Sequence, residues 1–554
     1  MFFKPKIRLK APTHPLAAYA AVFSITAVVF AYLHWERSFM DPDSFYHMKM
    51  AVLMLQRGVI RDFTWLPFTS LSAAYADHHF LYHAALLPFV AAFGPTIGLK
   101  VATVIFCAAS LTAFYAVLRA YGVKFAFIWT LLLGTGGGFI FRLALAKATA
   151  MSLLFIFLVF LALRREKRRT LFVLSWLFVW LYGGWPLLIV IAGAFLVGRL
   201  MAEALIERPV EQASWPLRIR DRLAAAGREQ SFRSWPEVKN FFAICAGLVA
   251  GLVINPFFPR NLAFYWEQIV QIAVVNYGSA IIVGNEWYPY TFVELFGRAS
   301  TIFIIFAVIL TVLLAAVFWG EPGRRHEAPA KKWLIAFNAV LLLTVFFLAM
   351  ALRSRRHVEY FAPFAVFFEG LLLTAILPLF SGFGERPAGD RAASKIRVAR
   401  IGLLIYLAVF LPLISVRDVI VIGLTYRRSG LSFTRYAAAA DWLKANTPEN
   451  SIIFHSDWDD FPLLFFNDDR NRYISGLDPT FLYRQDALRF REYVDINSGA
   501  RHKRVANVIA DLFQSRFVMI EKDHAAMLRV VEADRSLKEV YADDEVSIFA
   551  VTGL

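Results

Sequence analysis

The chain has 554 residues, of which 58% are hydrophobic and 16% aromatic. That balance excludes an ordinary soluble globular protein and points to a polytopic membrane protein. The formal net charge of +16 does not indicate nucleic acid, because the excess Lys and Arg lie in short loops between apolar runs. Only two cysteines occur, Cys107 and Cys245, both inside apolar runs, so neither a disulfide framework nor a cysteine metal site is implied.

Apolar runs lie at 14–34, 97–119, 125–141, 149–163, 170–182, 185–200, 238–256, 299–319, 333–352, 358–380 and 400–421, each long enough or nearly long enough to span a bilayer. Polar, acidic sequence follows the first run at once, with no small-residue cleavage site, so it reads as a span and not a signal peptide. Lys4, Lys6, Arg8 and Lys10 place the N-terminus in the cytoplasm. "RREKRR" (164–169), the segment 201–237, "GRRHEAPAKK" and the segment 386–400 should lie there too. Alternation through these anchors gives about eleven passes. It leaves the C-terminal segment extracytoplasmic, in a multi-pass inner (plasma) membrane protein of bacterial or archaeal type.

Three external segments result: 36–96, 255–298 and 352–360. Within the first, "HHFLYHAALLPFVAAF" (78–93) reads as an interfacial or re-entrant helix, because a crossing there would expel "RREKRR" and Pro88 should break its middle. In the third, Arg353, Arg355 and Arg356 violate the positive-inside rule. Three arginines on that side call for an anion. The arginine fork suits a phosphate or pyrophosphate, the alternative being a lipid head-group anchor. After Val421 the composition turns polar. "YAAAADWLKAN" reads as a helix, "SIIFH", "SRFVMIEKD" and "VSIFAV" as strands, and "HAAMLRVVEADR" as a helix. The expected organisation is a transmembrane domain, 1–421, and a soluble extracytoplasmic α/β domain, 422–554.

The polar clusters all fall on the outer side: Asp41, Asp43 and His47; Asp77, His78, His79 and His83; Glu286; the three arginines; and "HSDWDDF" (455–461). Carboxylates converging on an arginine cluster suit a general base opposite a phosphate leaving group. The bland reading of Asp41 and Asp43 is a helix cap.

These motifs resemble the GT-C superfamily of membrane glycosyltransferases, and most closely the catalytic subunit of oligosaccharyltransferase. The family places an Asp motif in its first external loop, here "MDPDSFYH". Its later Glu-x-x-Pro motif matches "VGNEWYP", with Glu286 and Pro289. Its Arg-aromatic-x-x-Tyr-x-x-Pro pattern matches "RHVEYFAP", with Arg356, Tyr360 and Pro363, and its W-W-D motif falls on Asp457, Trp458 and Asp459. The resemblance implies an inverting transferase that takes a sugar or oligosaccharide from a polyprenyl-(pyro)phosphate donor to an extracytoplasmic acceptor, a protein or a glycolipid. A single-sugar transferase on a glycolipid or polysaccharide is the alternative within the class. A lipid-linked-sugar transporter and a non-catalytic binding protein are the alternatives outside it.

The implied roles are catalytic for Asp41, Asp43, Glu286 and Lys147, donor phosphate binding for Arg353, Arg355, Arg356 and Tyr360, and acceptor binding for Asp457, Trp458, Asp459 and His79. Two departures stand out. The turn "FRLALAKATAMS" (141–152) carries Arg142 and Lys147 where the family has a second acidic pair that helps hold a divalent metal. Asp457 replaces the first tryptophan of the motif that, in the family, grips the acceptor sequon. The expectation is therefore that no metal cofactor is required and that Lys147 supplies the charge. The alternative keeps Mg²⁺ or Mn²⁺ on Asp41, Asp43, Glu286 and His79, with Lys147 snorkelling to the interface.

Overall fold

The computed structural model describes residues 15–206, 234–319, 330–377, 409 and 411–552. The basic N-terminal segment, most of 201–237, most of "GRRHEAPAKK" and the segment 386–400 lie outside the described residues. Each apolar run yields a helix where described. Among the described residues six helices are long and apolar enough to cross a membrane, and eight if each of two bent helix pairs counts as one span. The chain is a multi-pass membrane protein. The other expected passes correspond to the helices Thr149–Arg164, Arg168–Leu181 and Leu411–Ser429. The first two are short: 14 residues extend only about 21 Å, against a hydrocarbon core of roughly 30 Å.

The run 125–141, expected as one span, is broken, and the run 299–319 is unbroken but joins the helix before it at a sharp bend. Ala126–Leu133 and Gly137–Leu143 meet at 71°, and Phe292–Arg298 and Ser300–Thr311 at 92°. The two bent regions lie against each other. A Cβ on Gly138 would lie 2.7 Å from the Arg298 carbonyl oxygen, so only glycine lets the two breaks touch. Asp418 Oδ2 accepts from Gly137 N at 3.0 Å and ties the first break to Leu411–Ser429. That helix crosses the compositional boundary at Val421 and ends at Ser429.

The segment 78–93 forms the 14-residue helix Phe80–Phe93, and Pro88 does not break it, contrary to expectation. Proline removes one hydrogen bond; packing against Asp43–Arg57 and Pro95–Ala120 holds the helix together. Asp43–Arg57 stops at Gly58, whose φ of 74° lies in the left-handed region.

The C-terminal region contains a five-stranded sheet. In chain order its strands are β3 (Ile452–His455), β4 (Arg472–Tyr473), β5 (Phe517–Glu521), β6 (Leu537–Ala542) and β7 (Val546–Val551). The spatial order is β4-β3-β5-β7-β6, with β3 parallel to β4 and β5, and β7 antiparallel to β5 and β6. This region is docked on the segment 36–96, which follows the first apolar helix. The short strands β1 (Ser38–Phe39) and β2 (Leu431–Ser432) pair antiparallel. Lys49 Nζ lies 3.0 Å from Asp469, Trp65 Nε1 donates to the Asp469 carbonyl at 2.8 Å, and Phe45 packs edge-on against Phe466. The docking sets the turn after β3 over the start of Asp43–Arg57.

Candidate active site

Asp41 and Asp43 flank Pro42 at the start of Asp43–Arg57, and Asp41 Oδ1 accepts from Asp43 N at 3.0 Å. Lys147 arrives from the turn between Gly137–Leu143 and Thr149–Arg164. Its Nζ lies 2.8 Å from Oδ2 of Asp41 and 2.8 Å from Oδ2 of Asp43. Burial alone would lower the lysine pKa, but the charges of Asp41, Asp43 and Glu286 outweigh it and keep the ammonium above its ordinary value. Both Asp41 oxygens are thereby engaged.

A second chain of charges runs beside the first. Arg142 donates from Nη1 to Glu286 Oε2 at 2.7 Å, and from Nε and Nη2 to Glu359 Oε2 at 3.1 and 2.9 Å. Arg356 donates from Nη1 to Glu286 Oε1 at 3.3 Å and from Nη2 to the Tyr182 hydroxyl at 3.1 Å. Tyr360 donates to that same hydroxyl at 2.9 Å. Burial would raise the Glu286 pKa; Arg142, Arg356 and Lys147 together hold it well below the usual carboxylate range.

These residues separate a large cavity from two small ones. The large cavity, about 940 Å³, is lined by Asp41, Arg298, Arg355, Trp458 and Asp459, and by Val421 and Ile422 of the helix Leu411–Ser429. A junction of about 110 Å³ shares Asp43, Arg142, Lys147 and Glu286 with it and adds His47, His79 and Arg356. A third space, about 180 Å³, shares Arg356, His79 and Tyr182 with the junction and has apolar walls from Leu187, Val190 and Ile269, with Tyr360 beside them.

The arginine turn is therefore split. Arg355 faces the large cavity and Arg356 the small ones. Arg353 is exposed, donates to the Val274 carbonyl at 2.6 Å and lines none of these spaces. His79 sits on the Arg356 side, not beside Trp458. Asp457 does not line the large cavity either; it caps the turn Trp458–Asp460, accepting from Asp459 N at 3.3 Å. Burial, then the charges of Asp457, Asp43 and Asp41, push the Asp459 carboxyl up to about 8, with Lys147 opposing.

Asp459 is thus protonated at neutral pH in the folded chain, while an unfolded aspartate ionises near pH 4. At this group the native state binds more protons than the unfolded state between about pH 4 and 8, so the contribution of Asp459 to stability falls as pH rises through that window. Asp459→Asn should flatten this slope. Thermal unfolding of the detergent-solubilised chain from pH 5 to 9 checks it; an unchanged slope rules it out.

No protein-family model matches the chain, and no curated protein sequence matches it. Solved structures do. The archaeal oligosaccharyltransferase AglB from Archaeoglobus fulgidus, in complex with an inhibitory peptide and a dolichol-phosphate, aligns over 96% of this chain and 74% of its own at 15% identity and a TM-score of 0.59. ArnT from Cupriavidus metallidurans bound to undecaprenyl phosphate aligns over 98% of both chains at 15% identity and a TM-score of 0.53. The arabinofuranosyltransferase AftD from Mycobacteria covers 98% of this chain and 40% of its own at 11% identity and a TM-score of 0.52. The chain has the GT-C fold.

Within that fold the carboxylates do not fit a divalent ion. Lys147 bridges Asp41 and Asp43, and Glu286 is shared by two guanidinium groups. No three of Asp41, Asp43, Glu286 and His79 bring ligand atoms within 4.8 Å of one another. An ion would have to displace a paired ammonium to reach the first two. Sequence reasoning noted Arg142 only as a departure from the family and missed Glu359, Tyr182 and Asp478. Asp478 lines both the large cavity and the junction; a carboxylate before "PTFLY" was a readable helix cap, and its side chain accepts from Thr480 N.

Proposed function

We propose that the protein is an inverting glycosyltransferase that moves a sugar from a polyprenyl-phosphate or polyprenyl-pyrophosphate donor to an extracytoplasmic acceptor. The observation that carries this reading is the junction itself: alternating carboxylates and fixed cations at the meeting point of a wide polar cavity and an apolar-walled one, on a GT-C fold. The apolar-walled space suits the lipid and phosphate end of a donor, with Arg356 beside it. The large cavity suits the acceptor, with Trp458 as a wall. In the transfer, an acceptor atom bonds to the anomeric carbon from one face while the bond to the phosphate oxygen breaks on the other. Arg356 takes up the charge on the departing phosphate. Asp41, with both oxygens engaged, orients rather than deprotonates; Lys147 stands where the resembled enzymes use a metal, and no metal cofactor is required.

Transfer of single sugars is favoured over transfer of an oligosaccharide en bloc. Asp457 is spent on a helical turn instead of a sequon grip, and the junction is small. The test is transfer from a panel of undecaprenyl-phosphate-linked and undecaprenyl-pyrophosphate-linked sugars by the purified chain in lipid nanodiscs. Arg356→Ala should weaken undecaprenyl phosphate binding by about one to two decades, since a charged hydrogen bond contributes about 1.5–3 kcal/mol. Glu286 keeps Arg142 in this variant, so the fold should survive. Unchanged affinity would remove Arg356 from the phosphate site.

A further inference from the structure

Behind the junction lies a line of buried side chains that the charge clusters leave unused. His83 Nδ1 donates to Asp77 Oδ2 at 2.7 Å, and His83 Nε2 lies 2.8 Å from His47 Nδ1. The other Asp77 oxygen accepts from His79 N at 3.0 Å. Asp77, His83 and His47 are 4%, 0% and 2% exposed, so water does not compete for these bonds. Of the three, His47 lines the junction.

The geometry fixes the tautomers. A carboxylate only accepts, so His83 carries its hydrogen on Nδ1. With His83 neutral, its Nε2 is an acceptor, and His47 must donate from Nδ1. That leaves the lone pair on His47 Nε2. His47 lies one helical turn after Asp43 on the same face of Asp43–Arg57, and Asp43 and Lys147 line the same space. Asp41 is fixed by Asp43 N on Oδ1 and by Lys147 on Oδ2, which suits it to orienting the acceptor.

We propose that His47 is the proton acceptor of the transfer, that His83 and Asp77 are its positioning relay, and that the acceptor group is a hydroxyl. This rests on the glycosyltransferase reading above. In the step, the hydroxyl proton passes to His47 Nε2 while the His47 Nδ1 proton passes to His83 Nε2. The hydroxyl oxygen bonds to the anomeric carbon, and the carbon–oxygen bond to phosphate breaks with its electron pair staying on the phosphate. The positive charge ends on His83 beside Asp77, away from the reacting atoms. The relay repeats the logic of a histidine base oriented by a buried carboxylate, with one imidazole inserted.

The experiment measures transfer from the undecaprenyl-linked sugar panel to octyl glucoside and to an asparagine-containing peptide, with undecaprenyl phosphate binding as a separate readout. His47→Ala should lower kcat by about 10²–10⁴-fold, with donor KM unchanged, and added imidazole should restore part of the rate. Asp77→Asn should lower kcat at unchanged KM. His47→Gln, which keeps a polar contact to His83, should bind undecaprenyl phosphate like the wild type yet stay slow, separating lost chemistry from lost folding. Near-wild-type kcat in His47→Ala, a rise in KM alone, or no rescue by imidazole would overturn the base role. Transfer to the peptide and not to the glucoside would overturn the hydroxyl assignment. A wild type that neither binds undecaprenyl phosphate nor transfers sugar would refute the underlying reading instead.

Discussion

Lys147→Ala should abolish sugar transfer, while a strong chelator should leave the wild type at its full rate. The lysine ammonium lies 2.8 Å from a carboxylate oxygen of both Asp41 and Asp43. Removing it leaves two half-buried carboxylates facing each other with no intervening charge, and one of them must take up a proton or swing away. Either outcome dismantles the acceptor side of the junction, and loss of such a preorganised charge costs on the order of 10²–10³-fold in rate. Lys147→Arg should be partly active, because the charge persists but the fork is larger than the space between two carboxylates. Chelator titration of purified protein, followed by sugar transfer, is the check. Full loss on chelation, restored by Mn²⁺ or Mg²⁺, together with an active Lys147→Ala, would return the site to a metal and reduce Lys147 to an interfacial anchor.

Much of this architecture is readable because membrane sequences separate their charges. Lys147 and Arg356 each stand out as a charge abutting an apolar run, Asp41 and Glu286 as carboxylates in the segments between runs, and loop counting expects all four on one side. The strands β3, β5 and β7 announce themselves as short apolar runs and are buried along most of their length. β6 escapes because it is a mostly exposed edge strand reading "LKEVYA", and β4 because it has two residues. The broken helices escape for a different reason. The run 125–141 counts as one span by hydropathy alone, and the close approach of Gly138 to the Arg298 carbonyl exists only in the folded chain. Arg142 and Glu359 escape because they are 217 positions apart. Glu359 falls on an unspecified position of the Arg-aromatic-x-x-Tyr-x-x-Pro pattern, and a pairing across that distance exists only once the helices are folded together. The Asp77–His83–His47 line is half visible, since Asp77 and His83 lie close together in one segment, but its third member, His47, comes from another helix.

Arg142→Met should severely destabilise the chain. Arg142 is 8% exposed and serves two carboxylates, Glu286 and Glu359. Glu359 is fully buried, and its Oε1 has no hydrogen-bond partner among the described residues, so Arg142 supplies its compensation. Removing one partner of a buried pair costs about 3–5 kcal/mol, because the remaining charge is stranded, whereas replacing both by apolar side chains of similar size is often neutral or stabilising. The double variant Arg142→Met/Glu359→Met should therefore regain most of the lost stability. It should not regain activity, because Glu286 then keeps only Arg356, at 3.3 Å, and loses the shorter of its two contacts. A free Glu286 would draw Arg356 away from the space assigned to the donor phosphate. Unfolding of the detergent-solubilised single and double variants, read beside sugar transfer by each, separates the two roles of Arg142. A single variant as stable as the wild type would show that Glu359 does not depend on Arg142. An active double variant would show that holding Glu286 is not part of the chemistry.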